Sequence, residues 1–103
     1  MHMPAYVVVE VDVHDRERYD HYKTLAPPAI SQYGGRYIVR GGKCETLEGS
    51  WNPSRFVILE FENADRARAW WSSPEYAEAK KLRHATASTR MLLVEGLPPG
   101  WTP

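Results

Sequence analysis

One cysteine, Cys44, stands in 103 residues, which excludes an intrachain disulfide and a thiolate metal cage. A reducing cytoplasm suits such a chain. No apolar run approaches the roughly 20 residues that a membrane-spanning helix requires, and the basic and apolar regions of a signal peptide are missing from the start. A cytoplasmic protein with no membrane partner is expected. Net charge is also lacking, since thirteen basic residues balance thirteen acidic ones. Displacing counterions from phosphates needs a basic face, so no nucleic-acid partner is expected. No P-loop or dinucleotide fingerprint appears around Arg40-Gly41-Gly42, and these glycines read as a bend or bulge. His14 and His21 stand seven residues apart without a third ligand, so no metal is expected. His84 sits in no recognisable constellation for base catalysis or haem ligation, and nothing calls for a cofactor.

The composition that remains, 43% hydrophobic and 25% charged, is that of one globular domain over 1–103, with a core over about 4–96 and a Pro- and Gly-rich tail over 97–103. The Met1-His2-Met3 start is read as a remnant or an alternative start, and nothing is built on His2. Tyr6 to Val13 alternates with period two, placing Val7, Val9, Val11 and Val13 on one face of a first strand. Asp12 or Asp15 can cap the helix that follows, in which Tyr19, Tyr22, Ala26, Ile30 and Tyr33 recur at helical spacing. Pro27-Pro28 predicts a kink or a fresh turn, and Gly34-Gly35 a left-handed stop. Arg36–Arg40 and Phe56–Glu62 read as strands. Asn63 caps a short helix through Trp70-Trp71, and Ser72 with Glu75 stands at capping-box spacing before another. That last helix is expected to turn Tyr76, Ala79, Leu82 and Ala85 inward, and Met91–Glu95 closes the pattern as a fourth strand. The order βαββαβ predicts an α+β, ferredoxin-like sandwich: a four-stranded antiparallel sheet with helices on one face.

Helices in such a chain cover one face only, and the other is expected to carry Tyr6, Val8, Ile38, Phe56, Ile58, Met91 and Leu93. A surface so apolar needs a partner, and a second copy buries it symmetrically. The prediction is therefore a homodimer, sheet against sheet, unless the face assignment slips by one residue in some strand. With strand order 4-1-3-2, Glu10, Arg40, Arg55 and Arg90 approach one rim. A carboxylate among arginines beside an apolar cavity can anchor an acidic or carbonyl-bearing molecule, because the guanidinium fork donates in pairs. The plainer reading of the same charges is a structural ion-pair network. An RNA-recognition surface is disfavoured by the acids on the central strands, and a metallochaperone would need a Cys-x-x-Cys loop.

The wording along the chain is more specific than any single piece of it. Tyr33-Gly34-Gly35, Val39-Arg40-Gly41-Gly42, Leu47-Glu48-Gly49-x-Trp51, Pro53-x-Arg55, Ser73-Pro74-Glu75-Tyr76 and Val94-Glu95-Gly96 follow in one order. Together they resemble the domain of unknown function 1330 family, within the dimeric α+β barrel superfamily, from about Tyr6 to Gly96. The resemblance implies a ferredoxin-like protomer and a barrel-forming dimer, and no particular reaction. Relatives in the wider superfamily include cofactor-independent monooxygenases, lactone isomerases, haem-handling enzymes and stress-response domains, so fold alone does not choose among them. Pro28 and His84 depart from the family pattern.

The reading that results is a homodimeric small-molecule-binding protein, possessing the features of a cofactor-independent enzyme of monooxygenase or isomerase type acting on a small carbonyl or aromatic compound. Arg40 and Arg55 hold an anionic oxygen in this reading, and Glu10 exchanges a proton or orients an arginine. Trp51, Trp71 and Tyr76 shape the cavity, since each ring offers a flat apolar surface and a polar tip. The alternative is a non-catalytic ligand-binding or protein-interaction domain whose charges only fix dimer register.

Overall fold

A computed structural model describes residues 3–103; Met1 and His2, and with them the reading of the chain's start, lie outside the described residues. The elements run β1 (Ala5–Val13), α1 (Arg16–Gln32), β2 (Arg36–Arg40), β3 (Arg55–Phe61), α2 (Ala64–Trp71), α3 (Pro74–Thr86) and β4 (Ala87–Glu95). All sheet pairings are antiparallel, in the order β2-β3-β1-β4. This is the α+β, ferredoxin-like arrangement that the strand and helix patterns predict.

Local chemistry explains most boundaries. Asp15, rather than Asp12, caps α1 by accepting from the Arg18 amide at 3.3 Å. The helix continues through Pro27 and Pro28 instead of starting afresh, the lost amides being tolerated because Ala26, Ala29 and Ile30 on either side are buried. It ends in a Schellman motif: the Gly34 amide donates to Ser31 O and the Gly35 amide to Ile30 O, with Gly34 at φ +77°. Asn63 caps α2 through the Arg66 amide. Ser72 was expected to cap α3; instead it closes α2, and Ser73 caps α3 by accepting from the Tyr76 amide at 3.1 Å. Pro74 takes the first helical position, so the cap must be the residue before it. The last strand begins four residues earlier than its apolar run, because Ala87–Arg90 pair with Val13–Glu10 despite their polarity.

The core lies between the helices and one face of the sheet, where Val7, Val9, Val11, Val57, Leu59 and Phe61 meet Tyr19, Ile30, Trp70 and Tyr76. The register assigns the opposite face. Tyr6, Val8 and Glu10 stand across from Val94, Leu92 and Arg90 of β4 and from Glu60, Ile58 and Phe56 of β3. Met91 and Leu93 were expected on this open face, but they pair with Val9 and Val7 and point to the helix side. The reason is the period of two: a phase error of one residue exchanges faces along a whole strand, so Leu92 and Val94 take their places. Both are exposed, as is Ile38.

A second correction concerns α3. Its buried positions are Tyr76, Ala79, Arg83 and Thr86, whereas Leu82 is half-buried and Ala85 exposed. Spacings of three, seven and ten from Tyr76 follow the helical period. Continuing the stripe faithfully from Tyr76 and Ala79 therefore lands on an arginine. The apolar neighbours Leu82 and Ala85 pull a composition-led reading off that line.

Candidate functional site

The arginines predicted to share one rim divide between the two faces. Glu10 lies on the open face, where its carboxylate accepts from Arg90 Nε at 2.8 Å and Nη2 at 2.5 Å. It also accepts from the Trp51 indole at 2.8 Å. These indole and guanidinium donors hold the Glu10 carboxyl below its ordinary value. Trp51 packs edge-on against Phe56, centroids 5.9 Å apart, which docks the otherwise exposed segment 41–54 onto the open side of the sheet.

Arg40 and Arg55 instead border a cavity between the sheet and α1. Arg55 is on the helix face because it continues the alternation of Val57, Leu59 and Phe61. Arg40 reaches the same side through an irregularity. Tyr37 pairs with Leu59 and Val39 with Ile58, so Ile38 is an extra residue, a bulge. Strict alternation would place Arg40 opposite to Tyr37; the bulge brings both to the cavity, with the Arg40 guanidinium 4.5 Å from the Tyr37 ring centroid. The predicted bulge at Gly41-Gly42 thus lies three residues earlier, and Gly41 supplies a bend at φ +71°.

The cavity is lined by Val9, Val11, Ile30, Val57, Leu59 and Met91 on its apolar side. Its polar side is formed by Tyr19, Tyr22, Tyr37, Lys23, Arg40, Arg55, Arg83 and Trp70. The enclosed void is about 30 Å3, enough for about two waters. Exposed Arg40 and half-buried Lys23 form its outer wall.

Three polar atoms of these lining residues, Arg55 Nε, Arg83 Nε and Trp70 Nε1, are buried with no hydrogen-bond partner among the described residues. Arg83 is 3% exposed. Among the described residues its guanidinium makes one hydrogen bond, from Nη1 to Thr89 Oγ1 at 2.6 Å. Among the described residues, no carboxylate comes within ion-pair distance of Arg40, Arg55 or Arg83. Buried cations are ordinarily paired, and Arg83, the buried one of the three, has no such partner among the described residues.

The phenols behave differently from the guanidinium groups. Tyr22 and Tyr76 hydroxyls share a hydrogen bond at 2.7 Å. Burial, reinforced by the neighbouring Tyr76, pushes the Tyr22 phenol far above its ordinary value. Tyr19 and Tyr37 are also pushed up by burial, with nearby arginines opposing. All three stay neutral at physiological pH and act as hydrogen-bonding groups rather than bases.

The other predicted residues lie elsewhere. Tyr76 is fully buried behind Tyr22, its ring 4.4 Å from that of Trp70. Trp71 is 46% exposed and lies under the Lys80 ammonium at 3.8 Å. It borders a groove of about 500 Å3 between α2 and β4 with Trp70, Leu92 and Leu93. His84 is exposed on the outer side of α3, its imidazole lowered by desolvation and by Arg83. Among the described residues no group of three or more His, Cys, Asp or Glu is placed to hold a metal. Among the described residues no helix is long and apolar enough to cross a membrane. Arg83, Lys23, Tyr19, Tyr22 and Tyr37 are polar cavity residues that the sequence reading assigned to no site; the helical phase of α3 was the signal for Arg83.

No curated protein matches the chain. Among solved structures it is similar to RPA0582 from Rhodopseudomonas palustris, a protein of unknown function, at 21% identity and TM-score 0.77 over 94% of this chain and 85% of that one. It is also similar to SnoaB, a cofactor-independent oxygenase from Streptomyces nogalater, at 10% identity and TM-score 0.63 over 97% and 98% of the two chains. A dimeric ferredoxin-like protein of unknown function from Thermobifida fusca matches at 12% identity and TM-score 0.54, over 93% and 92%. At such identities the likeness carries the fold alone. The family model of the domain of unknown function DUF1330 spans residues 4–97, and the chain belongs to that family.

Proposed function

We propose that the protein is a homodimer that binds a small molecule in the cavity beneath α1 and acts on it without a cofactor, the substrate being a small carbonyl or aromatic compound. The observation that carries this reading is the set of guanidinium groups at one cavity, buried Arg83, half-buried Arg55 and exposed Arg40, none with a carboxylate at ion-pair distance among the described residues. A protein with no use for them could replace them with apolar side chains at a gain in stability. Arg40 and Arg55 hold an anionic oxygen of the ligand, and the aromatic walls of Tyr19, Tyr37 and Trp70 accept a flat or apolar body.

Dimerisation joins the open faces of two sheets, burying Tyr6, Val8, Phe56, Ile58, Leu92 and Val94. Support comes from the apolar character of that face, and from the dimeric neighbour of the same fold. In this arrangement the Glu10, Arg90 and Trp51 cluster sets dimer register, and Trp51 and Trp71 contribute near the interface rather than in the arginine cavity. Glu10 exchanges no proton with the ligand, since the sheet separates the two.

A second reading, binding without chemistry, has its own support: among the described residues no Asp, Glu, His or Cys lines the cavity, so none of these supplies a carboxylate, imidazole or thiolate for proton transfer or covalent attack. Light scattering gives the oligomeric state, and a thermal-shift panel of small acids, ketones and aromatics finds ligands. Arg40→Ala and Arg55→Ala are expected to lose ligand stabilisation while remaining dimeric. A monomer at micromolar concentration refutes the dimer, and loss of the dimer in Arg40→Ala with ligand response intact refutes the site.

A further inference from the structure

We infer that the cavity is an anion site whose ligand arrives already ionised, a small carboxylate or a comparably acidic enol or phenol, and that Arg83 is its innermost binding residue. This rests on the cavity assigned above and on neither the dimer nor any chemistry.

Every unmatched buried polar atom among the lining residues is an N–H donor: Arg55 Nε, Arg83 Nε and the Trp70 indole. Guanidinium and indole groups offer no acceptor. A ligand that satisfies them must therefore present lone pairs, and one that also offsets the charge must be negative.

Among the described residues no carboxylate or imidazole lines the cavity, and Tyr22, whose hydroxyl is paired with that of Tyr76, is a poor base and a poor acid because burial keeps it neutral. Lys23, on the outer wall, is engaged with Asp20 at 3.1 Å, and among the described residues no other lining group is suited to removing a proton from a weakly acidic ligand. The site can bind and orient an anion but is not equipped to create one.

Arg83 has the central place because it is the most buried of the three arginines and is held by a single neutral partner, Thr89. Arg40, exposed and stacked over the Tyr37 ring, closes over the ligand from outside. The Tyr22 hydroxyl, bonded to Tyr76, retains one hydrogen or lone pair for the ligand whichever of the two donates.

The test uses the 15N-labelled full-length protein and follows the Trp70 indole N–H resonance during titration with acetate and benzoate. Their neutral counterparts, acetamide and benzamide, are titrated in parallel, with sodium chloride at matched ionic strength as control. A saturable shift of that resonance with a carboxylate, absent with its amide and with chloride, is expected. Arg83→Met is expected to lower the carboxylate affinity about ten- to a hundredfold, the loss of one charged hydrogen bond, and Arg55→Met, at a half-buried position, at least about tenfold on the same ground. If Arg83→Met fails to fold, Arg55→Met decides. Equal shifts with carboxylate and amide, or undiminished carboxylate binding in the variant that decides, overturn the proposal. A ketone or neutral aromatic that occupies the cavity where both carboxylates fail overturns it too, yet leaves the pocket standing; if no compound of either class moves Trp70, the pocket falls with it.

Discussion

Replacing Arg83 with methionine should make the ligand-free protein more stable, although it removes a buried hydrogen bond. A guanidinium cannot shed its proton to escape an apolar site, and an ion taken from water costs several kcal/mol even after local relaxation. Two features offset that cost in the wild type. The Nη1 bond to Thr89 contributes about 1.5–3 kcal/mol as a charged hydrogen bond, and the cavity's small void admits about two waters. Nε remains unmatched among the described residues. Methionine is of similar length, is flexible, and meets Val9, Val11 and Met91 on the cavity wall. The net expectation is a gain of about 1–3 kcal/mol, within the roughly 1–4 kcal/mol by which apolar replacement of buried ion pairs can stabilise a protein. In a chain of this size each kcal/mol moves the melting temperature by about 4–8 °C. Differential scanning calorimetry at fixed protomer concentration reads the change directly, and the concentration must be matched because a dimer's melting point depends on it. A fall of 4 °C or more would refute the reasoning, because it would mean that Arg83 holds the fold together.

The remaining expectations concern other parts of the same architecture. Tyr76→Phe strands the Tyr22 hydroxyl and should cost about 1–3 kcal/mol in urea unfolding, while the Tyr22→Phe, Tyr76→Phe double variant should cost less than the sum of the singles; strict additivity would rule out the coupling. Gly35→Ala places a Cβ 2.5 Å from the Phe61 ring and 2.8 Å from Ile30 Cγ2, an overpacking expected to cost about 1–3 kcal/mol, and a neutral effect on the urea midpoint would contradict this packing. Because the folded-state pKa of Glu10 is depressed, its stabilising contribution is fully present above the ordinary carboxylate value and fades as pH falls through the folded value. Acid titration followed by tryptophan fluorescence should therefore show Trp51 releasing from Glu10 in that window, and the step should vanish in Glu10→Gln; a step that survives the substitution assigns it to another group.

The order of elements was legible in the sequence because it depends on neighbours along the chain. Alternation in β1 and β3, the caps at Asn63 and before Pro74, and the Gly34-Gly35 stop are local signals, correct to within a few residues. The candidate site was legible only in part. Arg40 and Arg55 were picked out as ligand-holding arginines, but Glu10 and Arg90 were grouped with them by their level along the strands, which says nothing of face. The start of β4 was hidden because Ala87–Arg90 are polar and become strand only by pairing with β1.

What the sequence determined by itself was the fold class and the inventory of charges, since periods of two and 3.6 follow from backbone geometry. What only the tertiary structure decided was which side each charge faces. Cross-strand register moved Leu92 and Val94 to the open face, the bulge at Ile38 turned Arg40 toward Tyr37, and the packing of α3 drew Arg83 beneath the helices. A side chain's face is set by pairing with residues distant in the chain, and a difference of one residue in that pairing separates a surface ion pair from a buried, unpaired cation.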